Sequence, residues 1–134
     1  MLTMAKETGL GTTRGGGLDD AVRADALRVL MILDEFLRVR PDIPMSHARS
    51  LLLVALDEGK TVKWYARKAG VAQSVMTRQL FDIGEFTRDK TPGLGLVERR
   101  ANPQDLREHQ LYLTHKGRAL VERAARVIRT GSGR

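Results

Sequence analysis

The sequence predicts a mainly α-helical fold that carries one small antiparallel β-hairpin. Apolar residues recur at spacings of three and four through four segments before residue 84 and one after residue 114, which indicates five helices. Between them, residues 96–113 contain two extended runs around a turn. With 134 residues, 42% of them apolar, and no cysteine, the chain can build one core without disulfides. We therefore expect a single domain over residues 18–134, preceded by a glycine-rich disordered arm over residues 1–17.

A long first helix is expected over residues 19–40. Asp19 and Asp20 suit the positive end of the helix dipole, and Pro41 ends the helix. Its apolar residues form one broad face: Val22, Ala26, Val29, Leu30, Leu33, Phe36 and Leu37. One short neighbour cannot cover a face this wide, so part of it is expected to meet another chain. An ordinary core helix is the alternative.

A second helix is expected over residues 46–58, with Ser46 as its N-cap and Gly59 after its end. Its inward residues would be Ala48, Leu51, Leu52, Ala55 and Leu56.

A third and a fourth helix should follow at close spacing. Thr61 is expected to cap the third, which reaches Ala69, and Gly70 can adopt the left-handed conformation that ends it. The fourth then starts near Gln73. This spacing is typical of a helix-turn-helix, whose second helix enters the major groove of DNA, although similar turns also join helices that never touch DNA.

The exposed side of the fourth helix offers hydrogen-bonding groups suited to base edges. Met76, Leu80 and Ile83 mark its buried side. The outward side chains are Gln73, Ser74, Val75, Thr77, Arg78 and Phe81. Gln can pair with adenine, Arg with guanine, Ser and Thr with bases or phosphates, and Val with the thymine methyl group. We predict that all of these except Phe81 bind DNA, and an ordinary surface helix is the alternative.

The hairpin is expected to have a turn over residues 101–108, with a charged tip. The predicted tip residues, which we also expect to bind DNA, are Arg99, Arg100, Asp105 and Arg107. A guanidinium at such a tip can reach phosphates while the Asp105 carboxylate fixes its orientation. After the hairpin, Thr114 should cap the last helix, which extends to about residue 129.

The positive charge is confined to one half of the chain. Residues 1–59 hold seven Lys or Arg against nine Asp or Glu, a net charge of −2, whereas residues 60–134 hold sixteen against seven, a net charge of +9. Such asymmetry is typical of a polyanion-binding module joined to an assembly helix, and a solvated basic surface is the alternative.

The chain resembles the MarR family of winged-helix transcriptional regulators between about residues 45 and 120. The matching segments are Met45-Ser46, Arg49, Leu51-Leu52, Thr61-Val62, Tyr65-Ala66, Gly70-Val71, Ser74, Thr77, Arg78, Leu80, residues 95–99, residues 105–107, Leu113-Thr114 and Gly117. The last three groups are the most specific part. Two segments depart from the family pattern: Ala72-Gln73 replaces Ser-Pro, and residues 84–94 are longer than usual. We expect the longer segment to extend the fourth helix to about Asp89 or to form an exposed loop.

The resemblance implies a homodimer that binds an inverted repeat in double-stranded DNA. The dimerisation helices would cover residues 19–40 and 114–129, the latter packing through Leu120, Val121, Ala124, Ala125 and Ile128. The hairpin would be the wing, placing Arg107 in the flanking minor groove, where Asp105 orients it or a neighbouring arginine. A small-molecule effector of unidentified chemistry is the third partner that the resemblance implies. A winged-helix module that binds protein, without specific DNA binding, is the alternative function.

The sequence argues against an enzyme, and no catalytic residue, cofactor or metal site is expected. His47, His109 and His115 show no metal-ligand spacing and are expected at the surface, and no phosphate-binding glycine loop follows a strand. The longest apolar run, residues 51–56, falls far short of the roughly 18 residues needed to span a bilayer. Because residues 1–17 also lack the apolar centre of a secretory signal, we expect a cytoplasmic protein with no membrane contact.

Overall fold

The computed structural model describes residues 17–132, which contain five helices and one two-stranded antiparallel sheet. In chain order the elements are α1 (Asp20–Val39), α2 (Met45–Leu56), α3 (Val62–Ala69), α4 (Gln73–Asp82), β1 (Val97–Asn102), β2 (Asp105–Leu113) and α5 (His115–Ser132). The predicted class, mainly α-helical with one hairpin, is confirmed. Apart from Gly17, the predicted disordered arm lies outside the described residues.

The core lies where α2, α3 and α4 meet the base of the hairpin and α5. Its largest fully buried apolar side chains are Leu51, Val54, Tyr65, Met76, Leu80, Ile83, Leu96, Val97, Leu111 and Leu120. The predicted buried side of α4 is therefore confirmed. One polar side chain is buried with them, Ser50, whose hydroxyl donates to Gln79 Oε1 at 2.6 Å and ties α2 to α4.

α1 packs on α5, and its buried and half-buried apolar side chains lie in its C-terminal half. Phe36 is buried, Ile32 and Val39 are half-buried, and Arg123 of α5 donates to Glu35 across this contact at 3.1 Å. Between Asp20 and Met31 every residue except Arg28 is exposed. Of the predicted broad apolar face, Phe36 alone reaches the core. Within residues 17–130, the first three turns of α1 therefore bury no side chain fully.

The predicted caps at Thr61 and Thr114 are confirmed, and Asp19, predicted only to favour the helix dipole, is the N-cap of α1. Asp19 accepts from Val22 N at 3.0 Å, Thr61 accepts from Trp64 N at 3.2 Å, and Thr114 accepts from Gly117 N at 3.0 Å. The prediction that Ser46 caps α2 is wrong. Pro44 is the N-cap, and its carbonyl accepts from the N–H groups of residues 47 and 48. Proline fixes φ at a value suited to entering a helix, so the N-cap lies two residues earlier than predicted.

Two of the predicted inward residues of α2 are exposed. Leu52 and Leu56 are solvent-accessible, whereas Leu51 and Val54 are buried. The helix ends at Leu56, two residues earlier than expected, and Gly59 follows with φ +88°. Because α2 contacts α3, α4, β2 and α5 along one side, the other side of this short helix stays in solvent.

Residues 84–94 form a compact loop rather than an extension of α4, so the second of the two alternatives holds. Leu94 N donates to Asp82 O at 3.1 Å, and Gly93 N donates to Glu85 O at 2.9 Å. A Cβ at Gly93 would lie 2.3 Å from the carbonyl oxygen of Gly84, so only glycine fits there. The two ends of the loop are thereby fixed against each other at the end of α4.

The hairpin is longer and its turn tighter than the sequence suggested. β2 starts at Asp105, and Pro103-Gln104 form the turn. The pairing shifts from Ala101 opposite His109 to Asn102 opposite Asp105, so residues 106–108 have no partners on β1 and bulge outward. Residues 59–61 lie alongside β2 and extend the sheet. Gly59 N donates to Leu111 O at 2.7 Å.

Candidate nucleic-acid interface

The exposed side of α4 is built as predicted and defines a surface that we call the reading face: Gln73, Ser74, Val75, Thr77 and Arg78. Thr77 is half-buried and the other four are exposed. Within residues 17–132, none of its polar side chains forms a hydrogen bond or an ion pair. The N-cap, Ala72, has no side-chain acceptor, so the first-turn N–H groups lack a side-chain partner as well. This face therefore presents unpaired donors and acceptors to an outside partner.

Phe81, expected in solvent next to this face, is half-buried instead. The guanidinium carbon of Arg99 lies 3.9 Å from the centre of its ring. Burial lowers the pKa of Arg99, and its Nη2 atom is buried without a hydrogen-bond partner in the described chain. Arg99 thus stacks on α4 and links the hairpin to it.

The predicted placement of Arg99 and Arg100 at the hairpin tip is wrong. Arg99 pairs with Leu111 and Arg100 with Gln110, both in the middle of the ladder. Arg100 also stacks on Tyr112 at 3.9 Å and donates to Glu98 at 2.7 Å. The alternation of Val97 and Arg99 on one face of a strand is the sequence signal that could have placed Arg99 toward α4.

The tip carries Arg107 with Asp105 beside it, as predicted. The side chain of Arg107 is 92% exposed. Its Nε and its backbone N–H both donate to Asp105 Oδ1 at 3.1 Å, and Nη2 donates to Oδ2 at 3.3 Å. The side-chain and backbone hydrogen bonds from Arg107 lower the pKa of the Asp105 carboxyl, so it is ionised at neutral pH. Asp105 therefore holds one edge of the guanidinium and leaves the other edge for a ligand.

The base of the hairpin is fixed to the body by contacts that the sequence did not reveal. Glu58 Oε2 accepts from Leu113 N at 2.8 Å, and Oε1 accepts from Arg118 at 3.0 Å. The hydrogen bond from the Leu113 N–H, followed by Arg118, lowers the pKa of Glu58 despite the opposing effect of burial. The Thr114 hydroxyl also donates to Gly95 O at 2.7 Å.

Gly117 brings α5 into direct backbone contact with the segment that enters β1. A Cβ at this position would lie 2.0 Å from the carbonyl oxygen of Leu96. Thr114 N donates to that same oxygen at 3.0 Å. The Leu-Thr-x-x-Gly pattern thus has a physical reason: the threonine caps the helix and the glycine allows the close approach.

Trp64 on α3 lies between two lysines. The Lys60 and Lys68 ammonium nitrogens are 5.5 Å and 5.3 Å from its ring centre. Its neighbour Tyr65 is fully buried, and its hydroxyl donates to Asp57 O. Burial raises the pKa of Tyr65 to about 12, so the phenol stays protonated. Lys68 on α3 and Lys60, just before the N-cap of α3, add positive charge that motif analysis did not single out.

Of the three histidines, His109 and His115 are exposed as predicted, and His47 is not. His47 Nε2 lies 3.4 Å from Asp82 Oδ2, with only 14% of its side chain exposed. Burial lowers the pKa of His47, and Asp82 opposes this effect. Within the described part of the chain, no three His, Asp or Glu side chains are grouped so that they could hold a metal ion.

Solved structures of known proteins share this architecture. The MepR protein of S. aureus in complex with DNA has a TM-score of 0.63 and 18% identity, covering 84% of this chain and 85% of that chain. FabT of Streptococcus pneumoniae in complex with DNA has a TM-score of 0.57 and 19% identity, covering 82% and 74%. A MarR transcriptional regulator from Methanosarcina mazei Go1 has a TM-score of 0.57 and 14% identity, covering 82% and 72%. No protein-family model and no curated protein matches the sequence.

These likenesses establish the class of fold. Residues 17–132 share the winged-helix fold of these solved MarR-type structures, with α3 and α4 as the helix-turn-helix and the β1–β2 hairpin as the wing. At identities this low the shared fold does not by itself carry the function. Among residues 17–132, no helix has the length and apolar character needed to cross a membrane.

Proposed function

We propose that the protein is a sequence-specific, double-stranded DNA-binding transcriptional regulator of MarR type, which acts by occupying its site and not by catalysis. The observation that carries the proposal is the reading face, whose polar side chains are without partners in the described chain. Such a face on the second helix of a helix-turn-helix fits the major groove. The wing supports the proposal, because the exposed Arg107 fits a narrow flanking minor groove.

We also propose that it acts as a homodimer on an inverted repeat. The first three turns of α1 expose Val22, Leu27, Val29, Leu30 and Met31. An amphipathic helix of this length is marginal without packing, so a second copy is the partner that the fold favours. A two-fold dimer would place two α4 helices in major grooves about 34 Å apart.

The test is selection of bound sequences from random duplex DNA with the full chain. An inverted repeat with half-sites about 10 base pairs apart is expected. Gln73→Ala and Arg78→Ala should each lose specificity at one position per half-site, by about 1–3 kcal/mol. Arg126→Ala, on the exposed side of α5, is the matched control. Recovery of no sequence preference would overturn the proposal.

One observation favours the alternative, a winged-helix module that binds protein. Leu106 at the wing tip is 73% exposed, and Phe86 of the 84–94 loop is also exposed. Apolar groups on a DNA-facing surface suit a protein partner as well. In that case Arg78→Ala and Arg107→Ala would leave DNA affinity unchanged. The cytoplasmic location and the small-molecule effector stay predictions.

A further inference from the structure

The 84–94 loop holds one arginine in a fixed place beside the reading face. Thr87 N donates to Thr91 O at 2.8 Å, and Lys90 N donates to Thr87 O at 3.0 Å, closing a tight turn that contains Arg88. The loop's ends are tied to α4 through Asp82 O and Gly84 O. The backbone at Arg88 is therefore positioned relative to α4 by hydrogen bonds at both the tip and the base of the loop.

Arg88 and Arg78 lie together between two grooves of opposite character. The first groove, which we call the acid-free groove, is lined by Ser46, His47, Ser74, Val75, Arg78, Gln79 and Arg88. The second is lined by Arg78, Asp82, Thr87, Arg88 and Asp89, where two carboxylates balance the two guanidinium groups. Within residues 17–132 neither arginine forms an ion pair. Asp82 borders the acid-free groove through its contact with His47, 3.4 Å from Nε2 to Oδ2. Because both Asp82 and Asp89 line the second groove, an anion is favoured on the acid-free side over the second groove.

The acid-free groove adjoins the reading face, since Ser74, Val75 and Arg78 belong to both. Phosphates run along both edges of the major groove, so a helix seated among the base edges brings its flank against one strand's backbone. Resting on the proposed function, we propose that Arg88, beside the base-reading Arg78, binds a backbone phosphate in the acid-free groove. Arg88 would be a phosphate contact that positions α4 without reading sequence.

The first experiment compares Arg88→Gln with the native chain on a selected duplex and on a scrambled one. Loss of one charge-assisted contact should weaken both complexes, each by about tenfold. In a dimer the slope of log affinity against log salt should fall by about two, at roughly 0.9 per phosphate. Arg126→Gln removes an equal charge from α5 and should change neither. Circular dichroism and urea unfolding check that Arg88→Gln is folded.

A second experiment locates the phosphate without relying on one variant. Single phosphates of the duplex are replaced by neutral methylphosphonates. At one position per half-site, the methylphosphonate should weaken DNA binding by the native chain but cause little further loss of affinity in Arg88→Gln. Asp89→Asn, which removes the nearest loop carboxylate, should strengthen binding several-fold through weaker repulsion of phosphate.

The outcomes separate the two proposals. If the native chain binds no duplex, the proposed function fails and the phosphate contact fails with it. If it binds, and Arg88→Gln keeps the native affinity and salt slope, the regulator stands and the role of Arg88 is wrong. If the affinity lost through Arg88→Gln added in full to the affinity lost through the methylphosphonate at every position, the proposed role of Arg88 would also be wrong.

Discussion

The outer part of α1 and the reading face are both exposed, and they differ in the chemistry that they expose. α1 presents leucine, valine and methionine over three turns, and its Asp25 and Arg28 pair with each other. The reading face presents an amide, two hydroxyls and a guanidinium without partners in the described chain. Apolar area without a neighbour favours burial against a like surface, whereas unpaired donors favour a polar, anionic partner.

The difference teaches that exposure alone does not mark a site. A partner on α1 would bury its exposed apolar side chains, so this surface fits a second copy of the chain. A partner on α4 and the wing would supply hydrogen bonds and neutralise positive charge, so that surface fits DNA. Because the two surfaces share no residue, a substitution can alter the side chains of one surface and leave those of the other unchanged.

The largest effect is expected from Leu30→Lys combined with Leu33→Lys on α1. Each leucine contributes about 1.5–3 kcal/mol when buried, and a two-fold interface counts each twice. The variant should sediment as a monomer and lose at least about a hundredfold in duplex affinity. Leu106→Lys, an equally apolar change on the wing, should stay a dimer. If the double variant were still a dimer, α1 would not form the dimer interface.

Gly117→Ala should cost the most stability of any single methyl group. The added Cβ would meet the Leu96 carbonyl, which cannot move aside as a side chain can, so we expect a loss of about 2–4 kcal/mol in urea unfolding. Gly70→Ala is the matched control. The added Cβ would meet no atom within 4 Å, so the expected loss is that of placing alanine at φ +71°, about 1 kcal/mol. Equal losses would show that the backbone contact is not tight.

Arg107→Ala tests the wing tip and should weaken binding about tenfold, mainly on sites with A·T flanks. Arg100→Ala is the comparison on the same hairpin. Because Arg100 already pairs with Glu98 and stacks on Tyr112, its loss should cost less DNA affinity. Fluorescence anisotropy on A·T-flanked and G·C-flanked duplexes measures both. Native affinity in Arg107→Ala would refute the wing assignment.

The smallest effect concerns Glu58 and acid. Its pKa is below the ordinary value of 4.5 in the folded chain, so its ionised form stabilises the fold above about pH 4.5. That contribution is lost as pH falls through the folded pKa. Glu58→Gln should therefore show a shallower fall in unfolding midpoint between about pH 6 and about pH 3. Glu122→Gln, exposed on α5, should match the native profile.

Periodicity predicted most of the fold, because five helices and a hairpin leave strong local patterns. The caps at Thr61 and Thr114 and the buried side of α4 followed from residue type and spacing alone. Pro44 was missed as a cap because its role comes from its backbone conformation, not from a side-chain acceptor. The 84–94 loop was ambiguous because its shape depends on backbone bonds to residues at the end of α4.

The site was predicted less evenly than the fold. Arg107 and Asp105 are neighbours in sequence, so their pairing could be read directly. The turn, Pro103-Gln104, lies inside the predicted range 101–108, but β1 continues to Asn102, so Arg99 and Arg100 pair in the middle of the ladder and not at the tip. The anchors from Glu58 to Leu113 and Arg118 join residues more than fifty positions apart, which no local pattern reports.

The contact at Gly117 has a mechanical consequence. Because backbone touches backbone there, no flexible side chain lies between α5 and the start of the wing to absorb a displacement. Glu58 clamps the same junction from α2. We therefore expect a displacement of α5 to be passed directly to the start of the wing, because Leu96 and Leu113 at its base are held by backbone contacts.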